Sequence, residues 1–207
     1  MITLYHCRDA RSFRALWALE EMELPYALHV LPFPPRARHE GMKDLNPLGT
    51  IPVLFDEGQR LTESSAIPHY LATKYGPSPL AVAPEEPGYG DYLNFLVMGE
   101  ATLTFPQTIH LRYAVFPPPG ERRPEIARDY AEWFGSRLRN AETMMDGDHA
   151  AAGRFTMADV SLGYAIKLAL AIGLGEFVTP AMQAYFDRLA ARPAYARAMA
   201  AQMQDQA

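Results

Sequence analysis

The chain has 207 residues, of which 49% are apolar and 21% charged, an ordinary globular composition that can bury one large core or two small ones. Its formal net charge is −5, so it lacks the basic balance of a nucleic-acid binder, and no nucleic-acid partner is expected. A single cysteine, Cys7, leaves no intramolecular disulfide and no CxxC pair for metal or redox chemistry, and no metal is expected.

The start of the chain has neither the basic residues nor the long apolar core of a secretory signal. No stretch approaches the ~20 apolar residues of a membrane span, so a cytoplasmic protein without membrane partners is expected. Residues 2–6 form a short β-type run. Residues 12–22 hold helix formers throughout, with Phe13, Leu16 and Trp17 at helical spacing, and Pro25 ends that element. Residues 27–31 predict a second strand. The Pro-rich stretch Pro32-Phe33-Pro34-Pro35 then leads to a short helix over 38–45. Residues 51–55 predict a third strand with proline near its start, 56–58 a turn, and 59–61 a fourth strand. From Ser64 or Ser65 to Tyr75 the pattern is helical again. This order, βαβ then αββα, is that of a thioredoxin-like domain, expected over residues 1–76.

A Pro-rich linker follows over 77–87. Residues 88–207 predict only helices: 91–114, a break at Pro117-Pro118-Pro119-Gly120, then 124–145, 156–172, 179–191 and 193–203. The expected fold class is thus an α/β thioredoxin-like N-terminal domain plus an all-α C-terminal helical domain.

Two segments carry candidate chemistry. In Asn46-Pro47-Leu48-Gly49-Thr50-Ile51-Pro52-Val53-Leu54, a proline enters a strand where it cannot donate a ladder hydrogen bond. It is either an edge-strand proline or a cis turn that leaves the Ile51 backbone free to pair with an extended peptide. In Leu61-Thr62-Glu63-Ser64-Ser65-Ala66-Ile67, a strand meets a helix start. Ser64 or Ser65 can cap that helix, whose free N–H groups and dipole suit a carboxylate, while Glu63 can hold an ammonium. A plain capped helix beside a solvated Glu63 satisfies the same pattern. Further along, Thr156 and Asp159 stand three apart as a capping-box pair flanked by Phe155 and Val160, the signature of a well-capped buried helix.

Together, the Asn-Pro-Leu-Gly-x-Ile-Pro-Val-Leu run and Glu63-Ser64-Ser65-Ala66-Ile67 resemble the glutathione transferase family. Similarity extends to Leu4-Tyr5-His6, to Leu16-Trp17-Ala18-Leu19-Glu20-Glu21 with Leu24-Pro25-Tyr26, and to the run from Gly153 to Ser161. The resemblance implies that Ile51 pairs its backbone with the cysteinyl part of glutathione beside a cis Pro52. It implies that Glu63 and Ser64 hold the γ-glutamyl ammonium and carboxylate. Arg36, Arg38, His39 and Lys43 are the cations available for the glycine carboxylate, with Arg38 and His39 the expected contacts. It further implies glutathione as co-substrate with no permanent cofactor, a small apolar electrophile as second substrate, conjugation of the two, and a homodimer. Glutathione-dependent reduction, ether or thioether cleavage, and non-catalytic glutathione binding remain alternatives.

The sequence departs from the family where the thiolate donor belongs. The loop Cys7-Arg8-Asp9-Ala10-Arg11-Ser12 puts Asp9 at the position of a catalytic serine in several classes and Arg11 near that of the beta-class cysteine. Ser12, at the helix start, is the first candidate to donate to a thiolate, and an N-cap role serves it equally well. Arg11 is the second, as a stabilising cation. Tyr5 is expected to pack in the sheet, and Cys7 to be a buried inert thiol. In the helical half, Met98, Thr102, Phe105, Ile109, Tyr113 and Phe116 recur at three- and four-residue spacing, a pattern of core or of pocket lining. By the resemblance, Phe105 and Tyr113 are candidates for the hydrophobic substrate.

Overall fold

Period-two alternation organises the first strand. In β1 (Ile2–His6), Ile2, Leu4 and His6 are buried while Thr3 and Tyr5 are half-buried. The computed structural model describes residues 1–204, and its contacts divide the chain into two compact units, Met1–Ala81 with the chain's end from Ala190, and Val82–Leu189.

In the first unit, β1 is followed by α1 (Phe13–Glu21), β2 (Tyr26–Val30), the short helices α2 (Pro35–Arg38) and α3 (Met42–Leu45), β3 (Val53–Asp56), β4 (Gln59–Leu61) and α4 (Ala66–Lys74). The sheet order is β2-β1-β3-β4, with β1 and β2 parallel and the other pairs antiparallel. This is the thioredoxin-like order the sequence predicts. The helix expected over 38–45 is instead two short turns, divided at Gly41, whose φ of 78° belongs to the left-handed region.

Helix α1 buries every residue from Phe13 to Leu19, so one sheet face cannot account for its cover. A second layer comes from α10 (Pro193–Ala201), whose Tyr195 ring sits edge-on to Phe13 at 5.5 Å and to Trp17 at 5.0 Å. Arg192 and Arg197 pair with Glu21 and Glu20 at 2.7 and 2.8 Å. The expected helical half ran from 88 to 207. Its final helix packs with the first unit, over an α1 whose residues from Phe13 to Leu19 are buried all round, and its residues 205–207 lie outside the described ones.

The second unit is helical. It comprises α5 (Tyr89–Met98), a π-helical segment (Gly99–Thr104), α6 (Phe105–Ala114), α7 (Pro124–Glu142), α8 (Met157–Ala171) and α9 (Pro180–Ala190), which reaches its boundary. The single helix expected over 91–114 is continuous but widens in the middle. Pro106 has no N–H to offer the preceding turn, and Thr104 Oγ1 donates to the Gly99 carbonyl at 2.7 Å. Gly99 is obligatory at this point: a Cβ there would overlap Ser161 of α8. The capping box predicted at the start of α8 is present, with Thr156 N–H donating to Asp159 Oδ2 at 2.8 Å. Asp159 Oδ1 also accepts from Ala150 N–H and the Tyr185 hydroxyl, each at 2.9 Å. No helix among the described residues is long and apolar enough to cross a membrane.

Candidate functional site

Strand register brings the predicted segments to one end of the sheet. Tyr5 near the end of β1 pairs with Val53 at the start of β3, and Leu54 pairs with Leu61 at the end of β4. Strand β2 runs parallel to β1, with His6 opposite Val30. The loop after β1 (residues 7–12), the segment after β2, the turn before β3 (49–52) and the turn after β4 (62–65) therefore emerge at the same end.

The turn before β3 is closed by its own side chains. Asn46, buried, donates through Nδ2 to the Thr50 carbonyl at 2.8 Å and accepts from Leu48 N–H at 3.1 Å. Gly49 N–H donates to the Asn46 carbonyl at 2.7 Å, and Gly49 has φ 66°. The Arg36 stem of α2 lies against Gly49, where a Cβ would come within 2.8 Å of its Cδ. This turn delivers Ile51 and Pro52, both buried and joined by a cis peptide bond, beside Cys7, Leu31, Met42 and Val53. The Ile51 amide has no hydrogen-bond partner among the described residues.

After β4, Glu63 is exposed and Ser64 buried. The carbonyl of Glu63 accepts from both Ala66 and Ile67 N–H at 3.1 Å, opening α4. Neither serine caps this helix through its side chain, contrary to the expectation: Ser65 holds the N-cap position without a side-chain bond, and the Ser64 hydroxyl turns to Arg14. Arg14, fully buried in the first turn of α1, donates through Nη1 to Ser64 Oγ at 2.9 Å. With one lone pair taken by a guanidinium, the Ser64 O–H is free to donate to an anion, and the positive charge behind it strengthens that donation. Sequence reasoning missed Arg14. The signal was there: an arginine at the helical spacing of Trp17 and Ala18, inside a run of apolar residues.

The loop after β1 differs from the expectation at its main candidate. Ser12 is fully buried, and its Oγ sits 2.7 Å from His6 Nδ1. Cys7 N–H donates to the same oxygen at 3.2 Å. The Ser12 hydroxyl is committed to the loop's own structure, so its expected role as hydroxyl donor to a thiolate does not follow from this geometry. It does not cap α1 through its side chain either. Arg11 is half-buried at the N-terminal end of that helix, where the helix dipole favours negative charge. Cys7 is fully buried and desolvation pushes its thiol up to about 12, so it stays protonated. Tyr5 packs in the sheet, its ring stacked on His29 at 4.8 Å and edge-on to Phe55 at 6.1 Å.

Of the cations, Arg36 and Arg38 on α2 and Lys43 on α3 are exposed, and His39 is half-buried at the end of α2. They follow the end of β2 and so belong to the same end of the sheet. In the second unit, the stripe from Met98 to Phe116 is not core: Met98, Thr102, Ile109 and Tyr113 are half-buried, and Phe105 and Phe116 are 49% and 55% exposed. It is a partly open apolar face. His110, in the same helix, has Nδ1 2.9 Å from the Ala127 carbonyl and joins α6 to α7.

A family model described as the N-terminal domain of glutathione S-transferase matches residues 10–74. Glutathione S-transferase 3 of Schizosaccharomyces pombe is 40% identical over 78 residues, 38% of this chain and 32% of that protein. Glutathione S-transferase PM239X14 of Arabidopsis thaliana is 29% identical over 138 residues, 58% of this chain and 57% of that protein. The aligned part of the chain thus spans less than two thirds of either relative. Over nearly the whole chain, a sphingomonad glutathione S-transferase solved with glutathione superposes with a TM-score of 0.84 at 25% identity, covering 98% of this chain and 100% of that one. Residues 10–74 thus resemble the N-terminal domain of glutathione S-transferases, and the fold along nearly the whole chain is that of a glutathione transferase.

Proposed function

We propose that the protein binds glutathione at the sheet end described above and transfers its thiolate to a small, largely apolar electrophile. The observation that carries this reading is the convergence of an Ile51 amide unpartnered among the described residues, an exposed Glu63 and a Ser64 hydroxyl backed by Arg14. Those groups complement an extended peptide headed by an α-amino acid. The Ile51 N–H and C=O pair with the cysteinyl backbone as an added strand would. The Ser64 O–H and the first turn of α4 take the γ-glutamyl carboxylate, and Glu63 takes the ammonium. Arg38 and His39 are the proposed contacts of the glycine carboxylate. The glutathione complex of the sphingomonad relative supports this choice of ligand.

The sulfur then faces the loop of residues 7–12. A free thiol titrates near 8.5, and a thiolate is stabilised at a helix N-terminus or beside a cation. We assign that work to the Arg11 guanidinium and the start of α1, with the Ser12 backbone N–H in place of its engaged hydroxyl. The thiolate attacks an electrophilic carbon, the carbon–sulfur bond forms, and the leaving group departs or a conjugated bond takes up the electron pair. Phe105 and Tyr113, on the open apolar face of the helical unit, are the proposed contacts of the apolar substrate. A homodimer is part of this reading, and sedimentation of the purified chain checks it.

Conjugation assays with an aromatic halide, an epoxide and an enone, run alongside calorimetric titration with glutathione, test the proposal. Saturable binding with conjugation of at least one of the three is expected. Binding without turnover of any of them overturns the transferase reading. It would leave a glutathione-binding protein, the alternative that the burial of both Ser12 and Cys7 favours.

A further inference from the structure

Residue Gln202, at the end of α10, makes contacts that nothing in the proposed chemistry explains. It is fully buried, lies 196 positions from His6, and spends its carboxamide on the loop after β1. Its Oε1 accepts from Asp9 N–H at 3.0 Å and lies 3.2 Å from His6 Nε2. Its Nε2 donates to Asp9 Oδ1 at 3.1 Å and to Met199 Sδ at 3.4 Å. Both acceptor positions and both donor hydrogens of the amide are thereby used. The network also assigns the histidine tautomer. Gln202 Oε1 can only accept, so His6 carries its proton on Nε2, and Nδ1 accepts from Ser12. Arg8 completes the join, its Nε donating to the Gln202 carbonyl at 3.1 Å and so satisfying a carbonyl left open at the end of α10.

The residue that Gln202 holds has a left-handed backbone. Asp9 is exposed and non-glycine, yet its φ is 55°. An aspartate visits this region more readily than most side chains, still at a cost relative to glycine. Here the holding group grips both the backbone N–H and the carboxylate of Asp9.

We propose that Gln202 is a positioning residue for the thiol site: it fixes the loop after β1 and keeps the Asp9 carboxylate turned toward α10. The inference rests on the reading that glutathione sulfur faces this loop. A carboxylate released into that loop would oppose a thiolate forming there and raise the thiol's pKa. The groups assigned to glutathione affinity, Ile51, Glu63 and Ser64, are not among the hydrogen-bond partners of Gln202, so affinity and thiol acidity should separate.

The test uses the full chain, Gln202→Met, which keeps the volume and loses the amide, and Gln202→Glu, which keeps the acceptor and sets a carboxylate against Asp9 Oδ1. Glutathione Kd is measured by calorimetry, the pKa of the bound thiol by its ultraviolet thiolate absorbance, and exchange of the Asp9 amide by mass spectrometry. Both variants are expected to raise the bound thiol's pKa by about one unit, roughly a tenfold loss of thiolate near neutral pH. Glutathione Kd is expected to change less than about threefold. In the unmodified chain the Asp9 amide is expected to be protected despite its exposure, and in Gln202→Met that protection is lost while the strands stay protected. An unchanged thiol pKa in a folded variant overturns the proposal. So does a loss of affinity that matches the loss of thiol acidity, because that is the mark of general destabilisation. Should neither variant fold, free exchange of Asp9 in the unmodified chain still overturns it. Should the unmodified chain not bind glutathione, the functional reading falls, and Asp9 protection alone decides whether Gln202 clamps the loop.

Discussion

Replacing Arg14 by methionine separates the role of this residue at the site from its role in the core. The guanidinium is fully buried and its Nη1 lies 2.9 Å from Ser64 Oγ. A hydrogen bond from a charged group contributes about 1.5–3 kcal/mol. If that contribution reaches a bound γ-glutamyl carboxylate through the Ser64 hydroxyl, its loss weakens glutathione binding by about 10- to 150-fold. Stability should fall as well. Methionine fills the volume, but the groups that lose the guanidinium, Ser64 among them, are left short of a partner, at a cost of about 1–3 kcal/mol of stability. Calorimetric titration with glutathione, at a temperature where thermal unfolding shows both proteins folded, gives the comparison. Arg14→Lys retains the charge but not the planar donor, and is expected to fall between the two. A Kd for Arg14→Met within twofold of the unmodified chain would refute the claim that the buried charge acts through Ser64.

Gly49→Ala places a Cβ on a residue with φ 66°, within 2.8 Å of Arg36 Cδ, and is expected to cost about 1–2 kcal/mol, read as a fall in Tm of about 2–8 °C. Cys7, with its thiol at about 12, holds roughly one part in ten thousand as thiolate at pH 8, so iodoacetamide should leave the native chain unlabelled and modify it once unfolded. Rapid native labelling, followed by mass spectrometry, would contradict its burial. Burial alone would raise the Asp56 carboxyl, but hydrogen bonds from Lys74, Tyr75 and Tyr70 outweigh it and hold it below the usual carboxylate range. Its folded pKa is depressed, so its stabilisation is present above the unfolded value near 3.9 and is lost as pH falls through the folded one. Asp56→Asn should therefore flatten the dependence of Tm on pH below about 4, and an unchanged acid slope would show that other carboxylates set it.

Legibility followed the range of the interactions. The strands of the first unit could be read from alternation and from turn residues such as Asp56-Glu57-Gly58, and the start of α8 from the spacing of Thr156 and Asp159. Those patterns are local. The division of residues 38–45 hung on the left-handed Gly41, which composition alone does not distinguish from a tolerated helical glycine. Ser12 shows the limit at the site. Its place at the helix start was legible, but its engagement depends on His6, which the alternation Ile2, Leu4, His6 puts on the inner face. That alternation was visible, and a buried histidine needs a partner. Gln202 was beyond reach, because nothing in an Ala- and Met-rich terminal helix says that one amide meets a loop at the other end of the chain. The same holds for α10 as a whole. Its apolar face was legible, but the identity of the helix it covers depended on α1 being buried all round.

A crystal structure of the chain soaked with glutathione puts the site to the most direct test. The tripeptide should lie antiparallel to residues 51–52, its cysteinyl backbone within about 3.2 Å of the Ile51 N–H or carbonyl and its amino-acid head at Glu63 and Ser64. Density for glutathione elsewhere, with Ile51 and Ser64 left untouched, would contradict the site and the chemistry drawn from it.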